Sequence, residues 1–153
     1  MAKLSIEHPV VGTLRHEQEH DWWAGRFELS PGQEIDFSFS AWNGADPKLE
    51  DAELIRRGVD FLTWARATES RVRERIADEL LATYNDTWAS EGEGGFGPLS
   101  RSEFLQQIAP ESIVVHIRGD SYWYYDDGGL FANHIIEVRI SQERDINEVG
   151  LAG

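Results

Sequence analysis

Hydrophobic periodicity divides this chain into three parts, and their order restricts the fold more than any other feature. In residues 1–43 and again in 112–153, apolar residues tend to alternate with polar ones, the period expected of half-buried strands. In residues 47–109, apolar residues recur every three or four positions, as on one face of a helix. Strands, then helices, then strands predict an α+β fold.

The strand-like parts predict one largely antiparallel sheet. Ile35, Phe37 and Phe39 alternate with polar residues and give the clearest pattern. We predict a short edge strand in the tail and six other strands, at 10–15, 22–29, 35–42, 113–118, 121–125 and 133–140. We expect two longer helices and one short helix to pack on one face of this sheet.

The helical part predicts three segments. Asp46 is a natural N-cap and Pro47 suits a first helical turn, so the first helix begins there. Thr68 and Ser70 carry hydroxyls that compete for backbone hydrogen bonds, which predicts a break near residues 67–70 and a second helix to about residue 88. Ser100 and Glu103 have the spacing of a capping box that starts the short helix.

Length and composition favour one globular domain over residues 1–153. The chain holds six Trp, seven Phe and four Tyr, enough large side chains for a core, and it has no cysteine for a disulfide or a thiolate nucleophile. The N-terminal apolar stretch is too short for a signal peptide, and no run of about 18 apolar residues could span a membrane. We therefore expect a cytoplasmic protein without a membrane partner.

The formal net charge of −14 restricts the class of partner. Such a charge repels nucleic acid and anionic membranes and attracts basic proteins, although solubility alone also explains it. The charge is uneven, because six of the fourteen basic residues lie between Arg56 and Arg75, whereas Ile76–Glu137 holds eleven acids against two bases.

Two groups of residues suggest metal chemistry, and each has a plainer explanation. His16 and His20 flank acidic residues, but they lie between predicted strands, where a solvated loop is the simpler interpretation. Asp126, Asp127 and His134 are the residues that a small metal-assisted hydrolase would use, whereas Asp-Gly is also a common hairpin turn. No G-x-S-x-G or phosphate-loop motif appears, and the Gly92–Gly97 segment is predicted to be a linker.

The aromatic run Tyr122–Tyr125 contains candidate surface anchors. Alternation sends two of its rings to each side of a strand, so that one pair enters the core and the other pair can stay open to a partner. Packing in the core or pairing across strands is the simpler interpretation.

Several segments together resemble a known family. They are Tyr84-Asn85-Asp86-Thr87-Trp88, Ser102–Leu105, Tyr125–Phe131, His134–Val138 and Gly150–Gly153. Their order resembles an uncharacterised bacterial family, domain of unknown function 2262. The family carries no established activity, so the resemblance implies a small bacterial cytoplasmic protein whose acidic character is similar to that of toxin-immunity proteins.

These observations favour a non-enzymatic protein-binding domain that masks a basic partner, as an immunity-type protein does. No cofactor or nucleic acid is expected, and a homo-oligomer stays open. The predicted binding residues are Asp126, Asp127, Trp123, Asp86, Glu91 and Glu93.

Overall fold

A computed structural model describes residues 5–40, 49–89 and 96–152. Within these residues, eight strands form one sheet whose spatial order is the chain order. The strands are β1 Ser5–His8, β2 Gly12–Glu17, β3 Trp22–Ser30, β4 Gln33–Ser40, β5 Ala109–His116, β6 Ser121–Asp126, β7 Ile135–Ile140 and β8 Ile146–Ala152. The predicted α+β class, with a mostly antiparallel sheet, is confirmed.

One pair of neighbouring strands is parallel. β4 and β5 run in the same direction, with Phe37 beside Ile113, and every other described pair is antiparallel. Parallel neighbours need a crossover connection of a dozen or more residues. The helical segment, with α1 Asp51–Thr83, a π-helix Tyr84–Trp88 and α2 Arg101–Gln107, supplies that crossover.

The predicted pair of longer helices was wrong, because α1 is one continuous helix of 33 residues. Thr68, at the expected break, is 5% exposed, and Val72 and Ile76 continue the same buried stripe. Burial of that stripe outweighs local competition from hydroxyl groups, since tertiary packing supplies most helical stability. The predicted cap residues Asp46 and Pro47 lie outside the described residues. No helix in the described ranges is long and apolar enough to cross a membrane.

The capping box of α2 is confirmed. Ser100 Oγ accepts a hydrogen bond from the Glu103 backbone N–H at 3.2 Å, and Glu103 Oε1 accepts one from Ser100 N–H at 3.0 Å. The hydrogen bonds from Ser100 lower the pKa of Glu103 below its usual value.

Several strand boundaries differ from prediction. The expected strand at 10–15 corresponds to β2, which begins at Gly12, and β1 was not predicted. Val10, 47% exposed, lies between these two strands. β5 begins at Ala109 because a bulge between Pro110 and Ser112 accommodates the proline, which has no N–H for the ladder. The predicted tail strand is confirmed as β8.

One face of the sheet, here called the inner face, packs against α1. Phe39 lies under Gly58 so closely that a methyl group there would overlap the ring, and the Arg66 guanidinium stacks 4.2 Å from the Phe27 ring. The core side chains on this face include Trp23, Phe27, Phe37, Phe39, Ile113, Val115, Trp123, Tyr125, Ile136 and Val138.

The sheet curves around α1. Trp64 contacts Arg144 in the loop before β8, Arg66 contacts β3, and residues near Arg75 lie beside Ile146 of β8. Contacts with the two sides of the sheet therefore alternate along the helix. Five strand spacings would separate β3 from β8 by about 24 Å in a flat sheet, roughly twice a helix diameter. The opposite face, here called the outer face, is consequently convex.

Candidate functional site

The turn after β6 holds the first two predicted site residues, and both form backbone hydrogen bonds. Asp127 is 2% exposed, and its two carboxylate oxygens accept hydrogen bonds from the N–H groups of Gly129 at 2.9 Å and Phe131 at 2.8 Å. Asp126 is exposed and accepts one from Gly128 N–H at 2.8 Å. Such bonds are typical of Asx turns. Asp127 is therefore not free to meet a partner.

The third residue of the predicted hydrolase site serves the same turn. His134 Nδ1 donates to the Phe131 carbonyl oxygen at 2.6 Å, and its ring lies against Trp88. Within residues 5–40, 49–89 and 96–152, no three His, Asp or Glu side chains form a group able to hold a metal ion. The convergent side chains that a metal-assisted hydrolase needs are not found among them.

The two histidines of the earlier candidate are also separated. His16 lies in β2, and its Nε2 is 3.0 Å from Asp21 Oδ1, whereas His20 stacks on Trp22 in the turn that follows β2. These contacts tie the β2–β3 hairpin together.

Four of the five family-like segments meet at one aromatic cluster, which the sequence did not reveal; the segment that begins at Gly150 lies in β8. The Phe131 ring is contacted edge-on by Tyr84, Trp88 and Phe104, with ring centroids 5.6–6.4 Å apart. Asn85 in the π-helix binds both the N–H and the carbonyl of Leu99. The motif residues thus join the π-helix, α2 and the Asp126–His134 turn, which is a structural role.

The remaining predicted binding residues lie in different environments. Trp123 was a wrong choice of anchor, because it is 0% exposed and belongs to the inner face. Asp86 is exposed on the π-helix, and Glu91 and Glu93 lie outside the described residues. The exposed ring pair of the aromatic run is Tyr122 and Tyr124, which alternation places on the outer face.

The outer face carries these rings at its centre. Tyr122 and Tyr124 stack with centroids 6.4 Å apart and planes 17° apart, and both are half-buried. Ile135, which is 40% exposed, lies directly across from Asp126. An exposed apolar side chain therefore lies next to an exposed carboxylate, on the same face as the two partly buried rings.

One carboxylate adjoins Tyr124, whereas Arg139 is the cross-strand neighbour of Tyr122. Glu137 is the cross-strand neighbour of Tyr124 and accepts a hydrogen bond from its hydroxyl. Partial burial, followed by the charge of Glu137, raises the pKa of Tyr124. Burial lowers the pKa of His116, whose ring packs edge-on against Tyr122. Burial therefore favours the neutral form of this imidazole.

The negative charge belongs mainly to the sheet. Residues 5–40 and 109–152 contain fifteen acids and five arginines, whereas α1 contains seven acids and six arginines. On the helices, Arg56 and Arg57 pair with Glu53, Arg75 pairs with Glu79, and Arg101 pairs with Glu74 and Asp78. The arginines bound to Glu53 lower its pKa to about 2.

A groove of about 600 Å³ lies at the N-terminal end of the outer face. The paired residues of β2 and β3 end at Arg15 opposite Ala24, and Gly25, the next residue of β3, lines the groove. Its charged lining is mixed, with Arg15, Glu17, Arg26 and Asp36. Mixed charge gives this groove no net preference for a basic ligand.

Comparison with known proteins gives a family without a function. No curated protein and no solved structure matches the chain. The profile of a family described as "uncharacterized protein conserved in bacteria" matches residues 8–151, nearly the whole chain. The chain therefore belongs to this uncharacterised bacterial family, DUF2262.

Proposed function

We propose that this protein is a non-enzymatic, cytoplasmic binding domain that engages a basic protein partner through the outer face of its sheet. The supporting observation is the position of Tyr122 and Tyr124, two partly accessible rings on the outer face. Glu137 lies beside Tyr124, and Asp126 lies across from the exposed Ile135. Tyrosine is common at the energetic centres of interfaces. A partner that covers the rings would therefore also face Asp126 and Glu137.

The proposed mechanism separates steering from anchoring. The excess carboxylates of the sheet attract a basic surface at long range and raise the association rate. The tyrosine pair then supplies desolvated contact area, which determines the dissociation rate. An immunity-type domain would use this binding to mask the active surface of a basic toxin.

The test uses purified basic proteins encoded beside this gene. Association and dissociation rates are measured at low and moderate ionic strength, and we expect salt to slow association because it screens the carboxylates. Tyr124→Ala should weaken affinity by about 30-fold, the loss typical of a central interface residue.

A matched pair of double variants separates the two faces. Asp126→Asn with Glu137→Gln removes two charges from the outer face, whereas Asp60→Asn with Glu79→Gln removes two from α1. We expect slower association in the first variant alone. Equal effects in both, or no salt-sensitive binding to any of these basic proteins, would contradict the proposal.

For a toxic partner, growth gives an independent measurement. Co-expression of the domain should restore growth of cells that produce the toxin. Tyr124→Ala should restore it less well at the same protein level.

A further inference from the structure

The two edges of the sheet differ in a way that indicates a second interface. Among the described strands, β1 pairs with β2 alone and β8 with β7 alone. β1 has four residues, includes Glu7 and is followed by Pro9, features that discourage pairing with another chain. β8 has seven residues and lacks that protection over its second half.

The second half of β8 is apolar and regular. Val149, Gly150, Leu151 and Ala152 carry no charge, and the register shift of this strand is confined to its start, between the partners of Arg139 and Ile140. Val149 and Leu151 are half-buried, although their neighbours Val138 and Ile136 on β7 are 0% exposed. The row of apolar side chains on the inner face therefore continues to the edge of the sheet, where its last members are only partly covered.

We infer that β8 pairs with β8 of a second copy of this chain, antiparallel about a two-fold axis at Gly150. This register places Val149 beside Leu151 of the other copy, and the inner-face row continues from one molecule into the next. Two eight-stranded sheets then form one continuous sheet across an isologous interface.

Charge disfavours one alternative register. Centring the axis on Glu148 would place two carboxylates directly opposite each other, which is unfavourable. Centring it on Gly150 places Glu148 opposite Ala152 of the other copy. Glu148 is also bound to Arg139 at 2.8 Å, so the edge itself carries little uncompensated charge.

Cross-linking tests the register directly, because the chain has no cysteine. Residues facing each other across an antiparallel pair have Cα atoms about 4.5–5.5 Å apart, within the range that a disulfide bridges. Nothing lies within 4 Å of a Cβ atom added at Gly150. Gly150→Cys should therefore give a disulfide-linked dimer under mild oxidation.

Controls for the cross-link come from the same strand and from the other edge. Glu148→Cys and Ala152→Cys should each remain unlinked alone but should link to each other when the two variants are mixed. Ile6→Cys on β1 should remain unlinked. Cross-linking of Ile6→Cys as efficiently as Gly150→Cys, or failure of both the Gly150→Cys and the mixed reactions, would overturn the inference.

Mass in solution gives a second test. The wild type should sediment at twice the 17.4 kDa chain mass at high concentration, and Leu151→Lys should raise the dissociation constant by about 30-fold or more. Salt should strengthen this association of two acidic chains, although it should weaken binding of a basic partner. A wild type that is monomeric at every concentration and salt, or a folded Leu151→Lys variant that dimerises equally well, would contradict it.

Discussion

At the residue scale, Tyr125 shows how burial of a polar group can reduce the stability of the folded protein. Its ring stacks beside Trp123 in the core, and no residue in the described ranges forms a hydrogen bond with its hydroxyl. Burial raises the pKa of Tyr125 well above its usual value, and the nearby Glu69 raises it further. An unpartnered buried hydroxyl costs free energy that the aromatic ring must offset.

Tyr125→Phe should therefore increase the free energy of unfolding by about 1 kcal/mol, because it removes a desolvated hydroxyl without changing the ring. The folded-state pKa of Tyr125 lies above the unfolded value near 10, so the folded state holds its proton longer. The contribution of this protonation equilibrium to the free energy of unfolding is fully present below about pH 10. It decreases as the pH rises further, because the unfolded chain then loses the Tyr125 proton first. The variant should lose less stability than the wild type between about pH 9 and 11.

Urea denaturation at these pH values measures both effects. Tyr84→Phe is the matched control, because the Tyr84 hydroxyl donates to the Gly97 carbonyl at 3.0 Å and accepts from Phe96 N–H at 3.3 Å. Its loss should destabilise the protein by about 1 kcal/mol. A Tyr125→Phe variant that is destabilised to the same degree would show that the Tyr125 hydroxyl has a partner.

Single residues also show what alternation can and cannot predict. The sequence predicted that the run Tyr122–Tyr125 would present rings to both faces of a strand. It did not predict which pair would be buried, because that depends on neighbours from β5 and β7 such as Ile113 and Val138. Trp123 was therefore assigned to the surface, although it lies in the core.

At the element scale, α1 shows how packing overrules local preference. Its buried residues cover about half of the helix circumference at 100° per residue, because the sheet curves around it. The residues near Thr68 weaken a helix locally, yet Thr68 itself faces the core. Sequence periodicity located both ends of the helical segment to within a few residues, but it could not show that the core would hold the middle together.

Gly58→Ala tests this packing. Alanine is favoured over glycine in a helix by about 1 kcal/mol, but at residue 58 its methyl group would overlap the Phe39 ring. We expect a net loss of about 1–3 kcal/mol from overpacking, measured by urea denaturation. Thr63→Ala, at an exposed position of the same helix, should change stability by less than about 0.5 kcal/mol. A stabilised Gly58→Ala variant would mean that α1 lies further from β4.

At the scale of the whole molecule, the net charge is distributed by layer. Acidic residues and arginines on the helices form ion pairs with each other, whereas the strands and their turns have an excess of acidic residues. Glu28 and Glu34 even lie directly opposite each other on β3 and β4. The sequence showed that the charge was uneven along the chain, but only the strand register shows which carboxylates are neighbours.

Glu28→Lys should turn this repulsion into attraction. We expect the free energy of unfolding to rise by about 0.5–1 kcal/mol at low ionic strength, and the gain to shrink as salt screens the pair. Asp60→Lys is the control, because it makes the same change of charge on α1 and removes the Asp60–Arg56 pair. A gain of equal size in both variants would indicate a general effect of net charge instead of the cross-strand pair.

The parallel seam between β4 and β5 also bears on how the chain folds. Every other described pair of strands is joined by a short connection, so both four-stranded meanders can form through contacts between residues close in sequence. β4 and β5 can pair only after the helical crossover has brought distant residues together. Closing so long a loop costs conformational entropy before the contacts form that offset it. We therefore expect the two meanders to dock late in folding, when α1 packs against both of them. The seam is also the natural place to divide the chain into two complementing fragments.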